Sequence, residues 1–383
     1  MKLLYVLKSF ASKAGTERVV SDKINYLAEA GYEITLVTYE QGKHPHSFPL
    51  HPSISTIDLN TRFYTVSQQP VYKKLFSFLR LRRFFRIRLQ KVVDDFEPDA
   101  IISTTYSFNL MDIILSIRTN AYQIVESHVA CFSILESFMY RKNPIMHILA
   151  KWYGLYMLSW LKQCKVLVVL TDGDASEWRN YVPRVEVIPN PVTIYPERIM
   201  SHDGNGKRII CVGRLHEQKG FDLFIDAFSR ISTQCPGWIV DIYGSGDDEQ
   251  SLKDKIKNYH LERKIHINAP TASIFEEYQK SEFLVLSSRY EGFGLVLVEA
   301  MSCGIPCVSF RCKYGPEDII THKKNGLLAD DGDISDLANQ ILWMINHKDE
   351  RLQMGKEARR SALIYEKTHI MRRWEYMFKN LDV

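Results

Sequence analysis

Two carboxylates, Glu291 and Glu299, lie in the stretch RYEGFGLVLVEAMSCGIP between Arg289 and Pro306. Glu291 sits in a turn with Gly292 and Gly294. Glu299 falls among Leu295, Val296, Leu297, Val298, Ala300 and Met301. An ionised carboxylate in apolar company costs several kcal/mol, as an order of magnitude, unless donors meet it. Sugar hydroxyls are such donors, and solvent or a basic side chain is the alternative. Glycines ahead of a helix let backbone approach a ligand while the first helical N–H groups stay unpaired, which suits an anion. Two more glycine-containing loops follow apolar runs. VGRLHEQKGFD carries Arg214 and Lys219, and YGSGDD carries Gly244 and Gly246. Arginine forks onto two phosphate oxygens and lysine adds a point charge, so this pair suits a diphosphate without a metal.

These loops need strands to hold them. FLVLSS reads as a short buried strand, LVLVEAMSC as a helix that Gly304 and Pro306 end, and CVSF as the next strand. The first half alternates KLLYVL, a helix over 18–30, EITLVTY, AIIST, YQIVES and VLVVLT; the second alternates RIICVG, FDLFIDAFSRIS, WIVDIYG, a helix over 249–259, KIHIN, EFLVLSS and CVSF. Such alternation predicts an α/β fold of two Rossmann-like domains with parallel sheets, facing across a cleft at the C-terminal strand ends. The boundaries are 1–189 and 190–365, joined near Asn190 and the polar SHDGNGK, with 366–383 as a final helix.

The 383 residues suit two ordinary domains. No apolar run reaches spanning length, and LLYVL is too short for a signal segment. Seven cysteines fit core packing in a reducing cytoplasm better than a disulfide framework. Cys303, Cys307 and Cys312 lack the spacing of a zinc site. A net charge of +4 does not call for nucleic acid. Its distribution says more: 61–93 holds no acidic residue, and VYKKLFSFLRLRRFFRIRLQKVV interleaves eight Lys or Arg with apolar side chains. That composition fits contact with an anionic membrane through 71–93, with Phe76, Phe84 and Phe85 at the headgroup boundary and Arg82, Arg83 and Arg86 supplying charge, although the basic residues do not gather on one helical face. A solvated basic helix is the plainer alternative.

The E-x7-E pair, with VGRLHEQKGFD, IYGSGDD, EGFGLVLVEAMSCGIPCVSF, Pro189–Asn190 and YGPEDIITHKKNGLL, resembles family 4 of the retaining glycosyltransferases over most of the chain. The resemblance implies a GT-B fold whose C-terminal domain holds a nucleotide sugar, and a final helix that returns to the first domain. It implies that Arg214 and Lys219 bind the diphosphate, Glu299 the ribose and Glu291 the transferred sugar, with Gly213, Gly244, Phe293, Gly294 and Leu295 lining the donor site. In the N-terminal domain the family has two glycines after the first strand. Here Ala14 and Gly15 stand there, and Gly15 is the residue carried over to the donor site. His128 in VESHVACF matches a histidine placed near the donor sugar, and Glu126 is a weaker candidate; a structural hydrogen-bonding role is the plainer reading of either. The DxD-like pairs Asp172/Asp174 and Asp331/Asp333 read as helix starts rather than metal ligands.

The expected activity is transfer of a hexose from a nucleotide diphosphate sugar, UDP-linked, to a lipid-linked or surface-polysaccharide glycan, with retention, no metal, and a peripheral position on the inner face of the cell membrane. The alternatives are a GT-B sugar synthase or phosphorylase with a soluble acceptor, a dinucleotide oxidoreductase and a non-catalytic scaffold. Nothing marks a phosphorylase's pyridoxal lysine, and no GxGxxG follows the first strand.

Overall fold

Short aliphatic runs without polar alternation suit parallel strands buried on both faces. The computed structural model describes residues 1–11, 15–134, 144–199 and 203–381. Ala14, Ser201, His202 and residues 382–383 lie outside them. The chain divides into two compact units: Met1–Ile188 with Met371–Val383, and Pro189–Ile370.

The first unit is built on β1 (Lys2–Leu7), β2 (Glu33–Thr38), β3 (Ser55–Asp58), β4 (Ala100–Thr104), β5 (Tyr122–Glu126), β6 (Val166–Val169) and β7 (Val185–Val187). They form one parallel sheet in the order β3-β2-β1-β4-β5-β6-β7. Leu4, Val6, Ile101, Phe85 and Leu89 belong to one core cluster, and Val125, Leu167, Met157 and Trp178 to another. The last helix, Lys367–Lys379, supplies Trp374 and Phe378 to this unit's interior.

The second unit holds β8 (Arg208–Val212), β9 (Ile239–Tyr243), β10 (Ile265–Asn268), β11 (Phe283–Leu286), β12 (Cys307–Phe310) and β13 (Gly326–Ala329). All are parallel, in the order β10-β9-β8-β11-β12-β13. The strand order reverses between β1 and β4 in one sheet and between β8 and β11 in the other. Ligands of open α/β sheets bind outside such switch points. The strands β3, β7 and β13 fall outside the sequence-based series. All three end their sheets; β3 is largely exposed and β7 half-buried, so STID and VEV carry no continuous apolar run. All seven cysteines are buried and unpaired, as core packing requires.

Arg351 fixes part of the second unit. It is 2 % exposed, donates to Glu282 Oε2 at 3.2 Å and to the carbonyls of Met344, Ile345 and Gly204, and lies over the Trp238 ring. Arg351→Met should strand the Glu282 carboxylate and cost roughly 3–5 kcal/mol. Denaturant unfolding followed by tryptophan fluorescence should show the loss, and the double variant Arg351→Met/Glu282→Leu should recover most of it.

Candidate functional site

In the second unit, the loops after β8 and β9 meet backbone to backbone. A Cβ on Gly244 would stand 1.9 Å from the Gly213 carbonyl oxygen, and one on Gly246 would stand 2.2 Å from that of Leu215. Hydrogen bonds from the Leu215 amide to the Ser245 carbonyl (2.9 Å) and from the Asp248 amide to the Leu215 carbonyl (3.1 Å) hold the two loops together. The first loop then makes a single 3-10 turn, Glu217–Lys219, and ends at Gly220 with φ +61°. There it touches the loop after β11. Gln218 donates to the Tyr290 carbonyl at 3.1 Å, Ser287 Oγ donates to the Lys219 carbonyl at 3.1 Å, and Arg289 forks onto Asp222 at 2.8 and 2.7 Å. Burial opposes ionisation of Asp222, but Arg289 outweighs it and holds the carboxyl below its ordinary range.

This clamp sets Lys219 against Glu291. Nζ lies 2.6 Å from Oε1, and Ser288 Oγ donates to the same oxygen at 2.5 Å. Among the described residues Oε2 receives no hydrogen bond. The Glu291 backbone is fixed as well, through the Lys313 carbonyl and the Tyr314 amide, each at 2.8 Å. Arg214 is exposed and pairs with no described side chain. Beyond Gly294, at φ +89°, the helix Leu295–Ser302 begins, and the amides of Leu295 and Val296 meet no described protein acceptor. Two cationic side chains and a helix N-terminus thus gather at the β8/β11 switch point, where an anion such as a diphosphate is favoured. The Phe293 ring is buried against Tyr365, 5.6 Å between centroids, so this residue offers a ligand its backbone rather than its ring.

Glu299 is 7 % exposed. It accepts from the phenol of Tyr278 at 3.0 Å, and burial, then Glu299 itself, push that phenol well above its usual range. Neither solvent nor a salt bridge therefore accounts for the carboxylate alone. A buried tyrosine is one of its donors.

In the first unit Gly15 opens the helix Gly15–Glu29, with open space where a Cβ would lie. Glu126 ends β5 and His128 follows it, Nε2 lying 3.2 Å from Glu126 Oε2. Both side chains are 3 % exposed. Lys23 contacts both oxygens of Glu126. The DxD-like pairs are helix starts: Asp174 accepts from the Cys131 amide and the Trp178 indole, and Asp333 caps the helix Ile334–Asn346. Among the described residues no group of three or more His, Cys, Asp or Glu is arranged to hold a metal ion.

A sequence profile described as Glycosyltransferase Family 4 matches residues 14–194, and one described as Glycosyl transferases group 1 matches residues 197–361. The chain belongs to the family 4 glycosyltransferases. Its relatives include the amylovoran biosynthesis glycosyltransferase AmsD of Erwinia amylovora, 26% identical over 97% of this chain and 98% of that one. Another is the GalNAc-α-(1->4)-GalNAc-α-(1->3)-diNAcBac-PP-undecaprenol α-1,4-N-acetyl-D-galactosaminyltransferase of Campylobacter jejuni, 24% identical over 98% of this chain and 97% of that one. Among solved structures, S. aureus TarM, crystallised with UDP, superposes with a TM-score of 0.75 at 17% identity, covering 99% of this chain and 100% of that one. The likeness shows the shared GT-B fold.

Sequence reasoning about this glycosyltransferase missed Tyr278, Ser288, Arg289 and Lys23. Tyr278 and Arg289 reach partners 21 and 67 positions away, Ser288 reaches Glu291 within its own loop, and no local pattern marks any of the three. Lys23 did leave a signal, because it interrupts the buried stripe of Val20, Ile24 and Leu27. Tyr278→Phe should leave the Glu299 carboxylate short of a donor and destabilise the fold by about 1–3 kcal/mol, measurable as a lower denaturation midpoint.

Proposed function

We propose that this glycosyltransferase moves a hexose from a nucleotide diphosphate sugar, UDP-linked, to a lipid-linked or surface-polysaccharide glycan with retention of configuration. The observation that carries the reading is the convergence of Arg214, Lys219, Glu291 and the helix N-terminus at Gly294 on one switch point. The relatives agree in kind: one is named for amylovoran biosynthesis, one for an acceptor on PP-undecaprenol, and TarM was crystallised with UDP. In this reading Arg214, Lys219 and the amides from Gly292 to Leu295 hold the diphosphate, Glu299 the ribose hydroxyls, and the open Oε2 of Glu291 a hydroxyl of the transferred sugar. Gly213, Gly244 and the Phe293 backbone shape the walls, and Gly15 and His128 are the first unit's own candidates for contact with substrate.

As the bond from the anomeric carbon to the phosphate oxygen breaks, charge gathers on the leaving diphosphate, and the cationic groups stabilise it. The acceptor oxygen bonds to the same face, and its proton passes to the departing phosphate. Configuration is retained without a protein nucleophile, and the fixed charges do the work a metal ion does elsewhere. Lys219→Ala should lower transfer by orders of magnitude, about 2–4 kcal/mol of transition-state stabilisation. A panel of UDP-sugars, read as nucleotide release with and without chelator, tests both parts. Full activity in Lys219→Ala refutes the donor site, and loss in chelator that magnesium or manganese restores refutes the metal-free step.

Contact with a membrane belongs to the same reading, with two corrections to its details. The basic segment is one helix, Val71–Phe96. Phe85 is fully buried against Tyr39 and Phe63, and Arg82 is committed to Asp112 and the Asn109 carbonyl, so neither serves a bilayer. The outward stripe is Tyr72, Leu75, Phe76, Leu79 and Ile87, with Lys73, Arg80 and Arg83 exposed beside it. A second helix, Pro144–Leu161, also turns apolar side chains outward: Ile148, Leu149, Trp152, Leu155 and Tyr156. Its Tyr153 reaches the same Asn109 carbonyl as Arg82, at 3.5 and 2.7 Å respectively, so the two helices flank one turn. Residues 137–171 hold no acidic residue either. Apolar stripes within stretches of sequence that carry no acidic residue suit an anionic bilayer, each nearby Lys or Arg adding about 1 kcal/mol. The protein should co-sediment with phosphatidylglycerol vesicles more than with phosphatidylcholine ones, and less as salt rises. Lys73→Glu/Arg80→Glu/Arg83→Glu and Trp152→Ser should each weaken binding while sparing hydrolysis of donor in solution; equal binding by parent and variants refutes this face.

A further inference from the structure

Lys23 lies on the buried face of the helix Gly15–Glu29 and is 1 % exposed. An ammonium taken out of water needs a counter-charge, and Glu126 supplies it with both carboxylate oxygens. The ring centroids of Trp374 and Tyr5 lie 4.0 and 5.4 Å from Nζ, so aromatic faces enclose the rest of the cation. Burial works against both charges. For Glu126, Lys23 and then His128 outweigh it and keep the carboxyl below its ordinary value.

Glu126 also holds His128, through Nε2 at 3.2 Å. Among the described residues, the charged or titratable groups coupled to this pair include Lys23 and Glu17 on the helix and Tyr5 on β1, which faces Glu126. Lys23 already balances the Glu126 charge. A neutral ring that donates from Nε2 carries its lone pair on Nδ1. That atom is buried and meets no hydrogen-bond partner among the described residues, and a buried acceptor without a donor calls for one.

We propose that Lys23 and Glu126 are positioning residues for His128, holding it as the neutral Nε2–H tautomer so that Nδ1 accepts a hydrogen bond from a hydroxyl of a carbohydrate substrate. The proposal rests on the glycosyltransferase reading for its ligand, but not for its proton arrangement. If Lys23 loses its charge, the buried Glu126–His128 pair takes up one proton. Should His128 keep it, the imidazolium carries hydrogen on both nitrogens. Should Glu126 keep it, the new O–H donates to Nε2 and the ring proton moves to Nδ1. Nδ1 stops accepting either way.

Nitrogen-15 spectra of the full chain labelled at histidine, with His128 assigned through its loss in His128→Gln, read this directly. Wild type at pH 7.5 should show an unprotonated Nδ1. Lys23→Met should show a protonated one and titrate about 1–2 pH units higher, and Lys23→Arg should restore the wild-type state. A protonated Nδ1 in wild type, or a Lys23→Met spectrum like wild type, overturns the proposal. If Lys23→Met does not fold, Glu126→Gln decides: its amide oxygen still accepts from Nε2, and without the carboxylate the His128 midpoint should fall, whereas an unchanged or higher midpoint is contrary. Binding of UDP, UDP-glucose, UDP-galactose and UDP-N-acetylglucosamine identifies the hydroxyl. If it belongs to the donor, Lys23→Met should lower the affinity for the accepted UDP-sugar about tenfold and leave UDP unchanged. If it belongs to the acceptor, donor affinity holds and the acceptor KM rises; no effect on either overturns the role of Nδ1. Failure of every UDP-sugar to bind the wild type would count against the donor reading while leaving the tautomer result intact.

Discussion

The carbonyl oxygen of Ser287 lies 2.0 Å from where a side chain on Gly220 would begin. Only glycine allows that approach, and the same is true where Gly244 meets the Gly213 carbonyl. Through these contacts the loops after β8, β9 and β11 stack backbone on backbone at the point where the strand order reverses. Gly220, at φ +61°, closes the turn that carries Lys219, and the clamp of Gln218, Ser287 and Arg289 keeps the neighbouring loop from drifting. Charges held this way are preorganised and need little rearrangement to meet an anion, which is the condition for electrostatic stabilisation.

Both units place a lysine from the segment after an inner strand against a glutamate on another strand's C-terminal side, with different physical consequences. Lys23 and Glu126 have side chains 1 % and 3 % exposed. Lys219 and Glu291 are 19 % and 6 % exposed. Removing one partner of the first pair strands a charge in the interior, so that pair is a fixed element of the fold. In the second pair the lysine remains accessible to solvent, and an arriving anion can take up its remaining donors while Glu291 keeps an oxygen free. A fully buried pair is closed to solvent and to ligands, whereas a partly exposed one is open to them.

Packing on the sheet also decides which part of the basic helix faces out. Phe85, Leu89 and Val93 pack into the first unit's core, which turns Tyr72, Leu75, Phe76 and Leu79 away from it. Arg82 is drawn inward by Asp112, whereas Arg83 stays exposed. Charge in the segment is evident from composition. Its direction is not, because a helix with basic residues on every side has no preferred face until a sheet is laid against it.

The alternation of apolar strands with helices, the glycine-flanked loops and the Glu291/Glu299 spacing were enough to anticipate two parallel α/β units and to place Arg214, Lys219 and Glu291 in the loops after β8 and β11, since these depend on local periodicity and on residue types with few structural substitutes. Edge strands β3 and β7 escaped because an exposed or half-buried strand lacks an apolar run. Other features needed the tertiary structure. Tyr278 meets Glu299 across 21 positions, Lys23 meets Glu126 across 103, and Lys219 meets Glu291 across 72. Each of these contacts arises where the fold brings distant segments together in the interior, where a buried polar group must find a partner wherever in the chain that partner lies. A sequence states which groups will need partners. The packing of its elements decides which ones they find.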